Sequence, residues 1–205
     1  MTLSTDLGAL QRATRRLGRI GRAGKRLPVL LAFTDPARSG DLAALAARLP
    51  RGAALVYRSF GAPDRLDIAW RLRRITWRRG VTLLIGADPA LARAVRAEGV
   101  HLPERLAASI PPIRGFGLIT VAAHSPRAIA KGLRLHADAV VLSPVLASDS
   151  PSAGRSLGVL RTAQLVRRAK GAVYGLGGVD GKTAGRVAAT GVAGLAAVGA
   201  FGPRT

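Results

Sequence analysis

The stretch that most constrains this chain is residues 171–200, GAVYGLGGVDGKTAGRVAATGVAGLAAVGA. An apolar run ends in Gly175-Leu176-Gly177-Gly178, and an Ala-rich helical segment follows. A second apolar run, Ala193 to Val198, closes on Gly199-Ala200. Strand, glycine turn, helix, strand, glycine turn is the pattern of a βαβ unit whose parallel strands end side by side. Glycine carries no Cβ, so backbone N–H groups at such ends can approach a bound anion closely. A lone Gly-Gly pair reads as a tight turn. Two glycine ends on neighbouring strands point instead to an anion cup, the usual phosphate seat after strands seven and eight of a βα barrel. Such a barrel needs six more strands upstream.

They are there as short apolar runs. Pro28 leads into Val29-Leu30-Leu31-Ala32-Phe33, which ends in Thr34-Asp35-Pro36. Ala53 to Tyr57 is the second strand and delivers Arg58; Val81 to Ile85 is the third and closes on Gly86-Ala87-Asp88. Gly99-Val100-His101-Leu102 is a short fourth strand, with His101 in the barrel interior. Phe116 to Val121 is the fifth, followed by Ala122-Ala123-His124, and Ala139 to Leu142 is the sixth. Helical patterns fall between them at 42–49, 63–79, 90–96, 103–109, 125–135 and 158–169. Pro89 stands at a helix start and Ser125 at a cap. Residues 143–157 form the longest loop, rich in Ser, Pro and Gly. Eight strands alternating with helices predict an α/β fold, a (β/α)8 TIM barrel. Only Phe201 to Thr205 follow the last strand, so the eighth helix is missing or truncated.

Residues 3–24 read as an extra basic N-terminal helix. Leu3, Leu7, Leu10, Leu17 and Ile20 make one apolar face, while Arg12, Arg15, Arg16, Arg19 and Arg22 stand against Asp6. Ser4, Thr5 and Asp6 offer capping groups. Docking on the barrel, in the place of the eighth helix, is favoured over a surface-associated helix or a transit-type presequence. The chain therefore divides into this helix, 1–27, and the barrel, 28–205.

Composition narrows the partners. The formal charge is +21, and with only four lysines, Lys25, Lys131, Lys170 and Lys182, the chain carries 28 arginines. That balance attracts polyanions, so nonspecific nucleic-acid binding is open. Aromatics are only 4%, and no base-stacking basic strand is present. The charge reads first as a solvated surface. No apolar run reaches the ~18–20 residues of a membrane span. There is no cysteine, so disulfides and thiolate metal sites are excluded, and a cytoplasmic protein is the simplest reading.

The ordered strand ends carry a resemblance. Thr34-Asp35-Pro36, Arg58, Gly99 to Leu102, His124-Ser125, Ala137-Asp138, Ser143-Pro144-Val145, Leu157-Gly158, Gly175 to Val179 and Val198 to Phe201 recur in one order and spacing. Over about residues 28–201 the chain resembles the thiamine phosphate synthase/TenI family. The resemblance implies a barrel of thiamine biosynthesis or salvage that holds a thiazole phosphate at the strand-seven and strand-eight loops. Gly177, Gly178, Gly199 and Ala200 would supply the cup, with Ser148 and Ser150 from the long loop. One branch of the family joins the thiazole to a pyrimidine bearing a pyrophosphate, with Mg²⁺. The TenI branch isomerises the thiazole phosphate without metal.

The synthase pattern is largely missing here. Where the family has Gln-x-Arg-x-Lys, this chain has Val56-Tyr57-Arg58-Ser59-Phe60, and where it has Asn-Asp, Gly86-Ala87 stand with Asp88 adjacent. The second metal position falls near Leu106, with Glu104 the nearest acid. Thr-x-Thr-Lys becomes Ser148-Asp149-Ser150-Pro151, and the serine before His124 is Ala122. Pyrophosphate departure needs cationic neutralisation, so these changes favour TenI-like metal-independent chemistry. His124 then matches the acid/base position. Arg58 either assists as a phosphate clamp or pairs with Asp35 or Asp88. The alternatives are a Mg²⁺-dependent synthase with a rearranged site built from Asp88, Glu104 or Asp149, a non-catalytic phosphate-ester binder, and a polyanion-binding protein. His136 reads as a surface residue at a helix end.

Overall fold

A computed structural model describes residues 3–15, 17–18, 24–106, 115–148 and 154–198. Its eight parallel strands are β1 (Leu30–Phe33), β2 (Ala54–Tyr57), β3 (Thr82–Gly86), β4 (Gly99–Leu102), β5 (Leu118–Ala123), β6 (Ala139–Leu142), β7 (Ala172–Gly175) and β8 (Gly194–Ala197). They are hydrogen-bonded in sequence order. β8 pairs with β1 in the register Leu31↔Ala196, closing the barrel.

Alternation along the strands sorts side chains into two layers. Leu31, Phe33, Ala54, Val56, Leu84, Val141 and Tyr174 fill the barrel. Leu30, Ala32, Leu55, Leu83, Ile85 and Val100 face outward to the helices. Seven helices lie among the described residues: α1 (Leu3–Thr14), α2 (Leu42–Arg48), α3 (Arg65–Arg79), α4 (Pro89–Ala94), α5 (Pro126–Arg134), α6 (Gly158–Arg168) and α7 (Ala184–Ala188). Several starts carry caps: Asp41 accepts from the Ala43 and Ala44 amides, Asp88 from Leu91, and Ser125 from Ala128. Gly80 ends α3 in the left-handed conformation, φ 64°.

Three sequence expectations change. The basic N-terminal helix is shorter than 3–24. It starts at Leu3, ahead of the expected caps, and stops at Thr14, where the Leu17 amide folds back onto the Thr14 carbonyl and Gly18 follows at φ 146°. β5 begins two residues later than Phe116. Gly115 has φ 85°, and the Gly117 and Leu118 amides share the Glu98 carbonyl, so the ladder opens at Gly99↔Leu118. Ala122 and Ala123 thus belong to the strand, and His124 is the first residue past it. Residues 104–106 are a turn rather than the start of a helix; 107–109 lie outside the described residues.

α1 packs on α7, β1 and β8, with Leu10 fully buried. Asp6 near its start borders the same cavity mouth as Thr183, while Arg12 and Thr14 lie beside Pro50 and Ala53 at the opposite end of the barrel. The helix therefore runs antiparallel to the strands, in the position and direction an eighth barrel helix would take. Contact at its start is tight: a Cβ on Gly181 would sit 2.3 Å from an Asp6 carboxylate oxygen. No described helix is long and apolar enough to cross a membrane.

Candidate functional site

An open cavity of about 1610 Å³ occupies the C-terminal mouth of the barrel. The loops after several different strands reach it, as in barrel enzymes generally. Its walls differ in construction.

On the β7 side the wall is backbone. Gly177 and Gly178 have φ 98° and 63°, which glycine alone adopts without strain. The loop after β6 lies against them: Val145 and Leu146 donate to the Leu176 and Gly177 carbonyls. A Cβ on Gly178 would stand 2.3 Å from the Ala147 carbonyl oxygen, and one on Gly177 2.9 Å from Pro144 Cα. These glycines are therefore required by loop packing. Their own N–H groups have no hydrogen-bond partner among the described residues. Ser148 lines the same cavity. Ser150, Gly199 and Ala200, expected in the cup, lie outside the described residues, as does Asp149.

On the β1–β2 side the wall is charged. The Arg58 amide donates to Thr34 Oγ1 (2.8 Å), its Nε to the Thr34 carbonyl (2.7 Å) and its guanidinium to Asp35 (3.3 Å). Asp35 also takes Arg38 at 2.9 Å and the Ala37 amide. The Arg38 hydrogen bond holds its carboxyl below the usual range, against the effect of burial. Burial pushes Arg58 down from its ordinary value. The guanidinium also lies over Phe33 and Phe60, 5.7 and 5.1 Å from the ring centres. Arg58 thus pairs with Asp35, not Asp88. Phe60 and Ala87 both border the cavity with left-handed φ, 48° and 61°, a conformation that costs a non-glycine residue about 1–3 kcal/mol and clusters at functional sites.

Of the three carboxylates that could serve a metal, Asp149 lies outside the described residues, and the other two make bonds to protein groups. Asp88 Oδ1 caps α4 at 2.8 Å from the Leu91 amide, and Oδ2 stands 3.8 Å from Arg65 Nε. Glu104 Oε2 accepts both the backbone N–H and Nδ1 of His124, at 3.0 and 2.7 Å. No group of three or more His, Asp or Glu able to hold a metal occurs among the described residues. Mg²⁺ wants six oxygens in near-octahedral array. A cation beside one acid and an imidazole on the other do not fit it.

Two imidazoles border the cavity. His101 is buried on β4, edge-on to Phe33, with Nδ1 2.9 Å from Thr120 Oγ1 on β5; the register pairs these residues. Burial lowers its pKa to about 3, with Arg58 adding to the effect, so it is neutral at physiological pH. His124 is more than half exposed, with Glu104 its partner. His136, at φ 66° just past α5, is exposed and away from the cavity. Sequence reading did not find Arg38, Arg65, Arg105 and Arg155, which also border the cavity; only their place after strand ends could have marked them.

Comparison with known proteins follows the same lines. The family model described as Thiamine monophosphate synthase matches residues 30–201. The chain belongs to this family. It is 30% identical over 163 residues to the "Putative thiamine-phosphate synthase 2" of Aquifex aeolicus, covering 75% of this chain and 86% of that one. Identity reaches 33% over 140 residues with the "Putative thiamine-phosphate synthase" of Geobacter sulfurreducens, 66% of each chain. Among solved structures, thiamine phosphate pyrophosphorylase from Pyrococcus furiosus superposes with a TM-score of 0.70 at 24% identity, covering 83% of this chain and 85% of that one. That likeness bears on the fold: family membership and the closed barrel agree.

Proposed function

We propose that this barrel binds a thiazole phosphate or a close phosphate ester, with the phosphate at the β7 glycine turn, and moves a proton on it by metal-independent, TenI-like chemistry. One observation carries the reading. A single cavity holds an anchored, solvent-reachable imidazole and a glycine turn whose N–H groups have no partner among the described residues, while the described metal candidates, Asp88 and Glu104, are bound to protein groups. Tautomerisation asks only for a phosphate anchor and a group that takes and returns a proton, and imidazole is suited to that near neutral pH. In this reading His124 is the acid/base, backbone donors at Gly177 and Gly178 anchor the phosphate, and Arg58 supplies positive charge.

The test is isomerisation of thiazole phosphate by the purified full chain. His124→Ala should lose about 10²–10⁴-fold in kcat while still binding the ester, the range that positioned acid/base groups contribute. The relatives' names favour a second reading, a thiamine-phosphate synthase, for which the family resemblance implies Mg²⁺. Thiamine phosphate formed from both substrates with Mg²⁺ would establish it. Saturable ester binding with turnover in neither assay would leave a binding protein.

A further inference from the structure

The Glu104–His124 pair reaches beyond the role assigned to His124. The two residues are 20 apart in sequence, at the ends of adjacent strands β4 and β5. One carboxylate oxygen accepts two bonds from the same residue, the His124 backbone N–H and ring Nδ1. The first fixes where the histidine's backbone stands relative to Glu104; the second fixes its ring. A carboxylate has no proton to give, so the proton in the 2.7 Å contact belongs to Nδ1. The other ring nitrogen, Nε2, has no partner among the described residues, and His124 borders the cavity.

We infer that Glu104 is the positioning residue of His124: it holds Nδ1–H, sets the neutral ring in that tautomer and leaves Nε2 as the bare nitrogen that serves the cavity. The inference rests on the reading of His124 as the acid/base. The step balances without any co-reactant. Nε2 takes a proton from a carbon of the phosphorylated heterocycle, the electron pair stays on the substrate, and the imidazolium returns a proton at another substrate atom. Glu104, opposite Nδ1–H, steadies the ring's transient positive charge. An imidazole free of restraint favours the other tautomer, with Nε2–H, which cannot accept the proton. Glu104 therefore selects the competent form, as a carboxylate does for the imidazole of a hydrolase triad. The same geometry commits one of the two Glu104 carboxylate oxygens to His124.

The experiment uses full-length protein with ¹⁵N-labelled histidine. Long-range ¹H–¹⁵N correlation reports which ring nitrogen is protonated. The chain has three histidines, and the His124 signals are identified by their loss in His124→Ala. Wild type should show His124 as the Nδ1–H tautomer. Glu104→Ala should shift it toward Nε2–H, and Glu104→Gln, whose carbonyl can still accept from Nδ1, should lie between. With thiazole phosphate, Glu104→Ala should lower kcat on the order of 10- to 100-fold, as loss of groups that orient an imidazole does, with KM unchanged and Gln partly rescuing. Glu104 is 40% exposed, and thermal melts of both variants check that they fold. An Nε2–H tautomer in wild type overturns the inference. So does a lower melting temperature in Glu104→Ala with tautomer and kcat unmoved, the mark of a loop staple alone. If wild type itself turns over nothing, the reaction of the preceding subsection fails, and the tautomer comparison alone decides whether Glu104 positions the ring.

Discussion

The two walls of the mouth handle polar groups in opposite ways. After β7, backbone N–H groups of Gly177 and Gly178 stand without partners among the described residues, in a turn whose shape is dictated by the loop laid over it. After β1 to β4, most charges have a protein counterpart: Arg58 and Arg38 with Asp35, Arg65 beside Asp88, Glu104 on His124. Donors without partners are ready for an anion at no cost in broken bonds. Paired charges must first exchange one partner for another. On the proposed reading, the difference separates a wall suited to receive a phosphate from one that mostly holds its own shape, with His124 Nε2 and Arg105 as exceptions on the second wall.

The sharpest way to break this contrast is Gly178→Ala. A side chain there combines left-handed φ with collision against the Ala147 carbonyl, and neither backbone can yield alone. Strain of about 1–3 kcal/mol for the conformation and a similar term for overpacking give a destabilisation of roughly 2–6 kcal/mol, with phosphate-ester binding lost. Gly185→Ala in α7 is the control, since a Cβ there meets nothing within 4 Å; in a helix it should be neutral or stabilising by up to about 1 kcal/mol. Urea unfolding and ester titration of both variants check the pair. Equal behaviour would show that the turn is not constrained as described.

These walls were unequally legible in the sequence. The glycine turn was readable because strand, Gly-Leu-Gly-Gly and helix are contiguous, and short range encodes them. The covering loop was not, because Pro144 to Ala147 reach Gly177 and Gly178 from about thirty residues away, and spacing carries no trace of that contact. His124 and Arg58 could be found as polar residues placed just past apolar runs. Their partners could not. Glu104 was readable only as a stray acid near a metal position, since its bond to His124 exists only once β4 and β5 lie side by side. The barrel itself was the easiest inference, with eight apolar runs leaving little choice. The length of α1 and the start of β5 were missed because single hydrogen bonds and glycine φ values set them.

The second prediction concerns what supports the glycine wall from outside. α1 brings Asp6 against Gly181 and is anchored by Leu10, which is fully buried. Leu10→Ala should cost about 2–5 kcal/mol, the usual range for a buried leucine. Removing residues 1–24 should destabilise the barrel further and weaken ester binding through the β7–α7 loop. Calorimetry of the truncated chain checks it; a melting temperature equal to that of the full chain would show that the helix is not a substitute for the eighth.

On the charged wall, His101 predicts a smaller, graded effect. Its folded pKa of about 3 lies below the ordinary 6.5, so the native state keeps the ring neutral while the unfolded chain takes up a proton. The stabilising contribution is complete above pH 6.5 and is lost as pH falls from there toward 3, at about 1 kcal/mol per pH unit. His101→Gln removes this titration. Urea unfolding from pH 7 to pH 4 should show wild type losing stability faster than the variant over that window, whatever the offset between them at pH 7. Parallel slopes would mean that the buried ring is already protonated or is not buried.

Asp88→Asn gives the smallest expected change and bears most directly on the metal. Asparagine caps a helix as well as aspartate does, so the bond to the Leu91 amide survives. The contact with Arg65, 3.8 Å long and partly exposed, contributes about 0–1 kcal/mol. Stability should therefore shift by less than about 1 kcal/mol, and ester affinity and any response to Mg²⁺ should match wild type. A carboxylate that ligates Mg²⁺ behaves otherwise, because the amide loses the charge on which a hard cation depends. Loss of Mg²⁺-supported thiamine phosphate formation in Asp88→Asn, with stability retained, would mean that Arg65 gives way to the ion when both substrates are bound. The charged wall would then be a receiving surface as well, and the synthase reading would displace the tautomerase one.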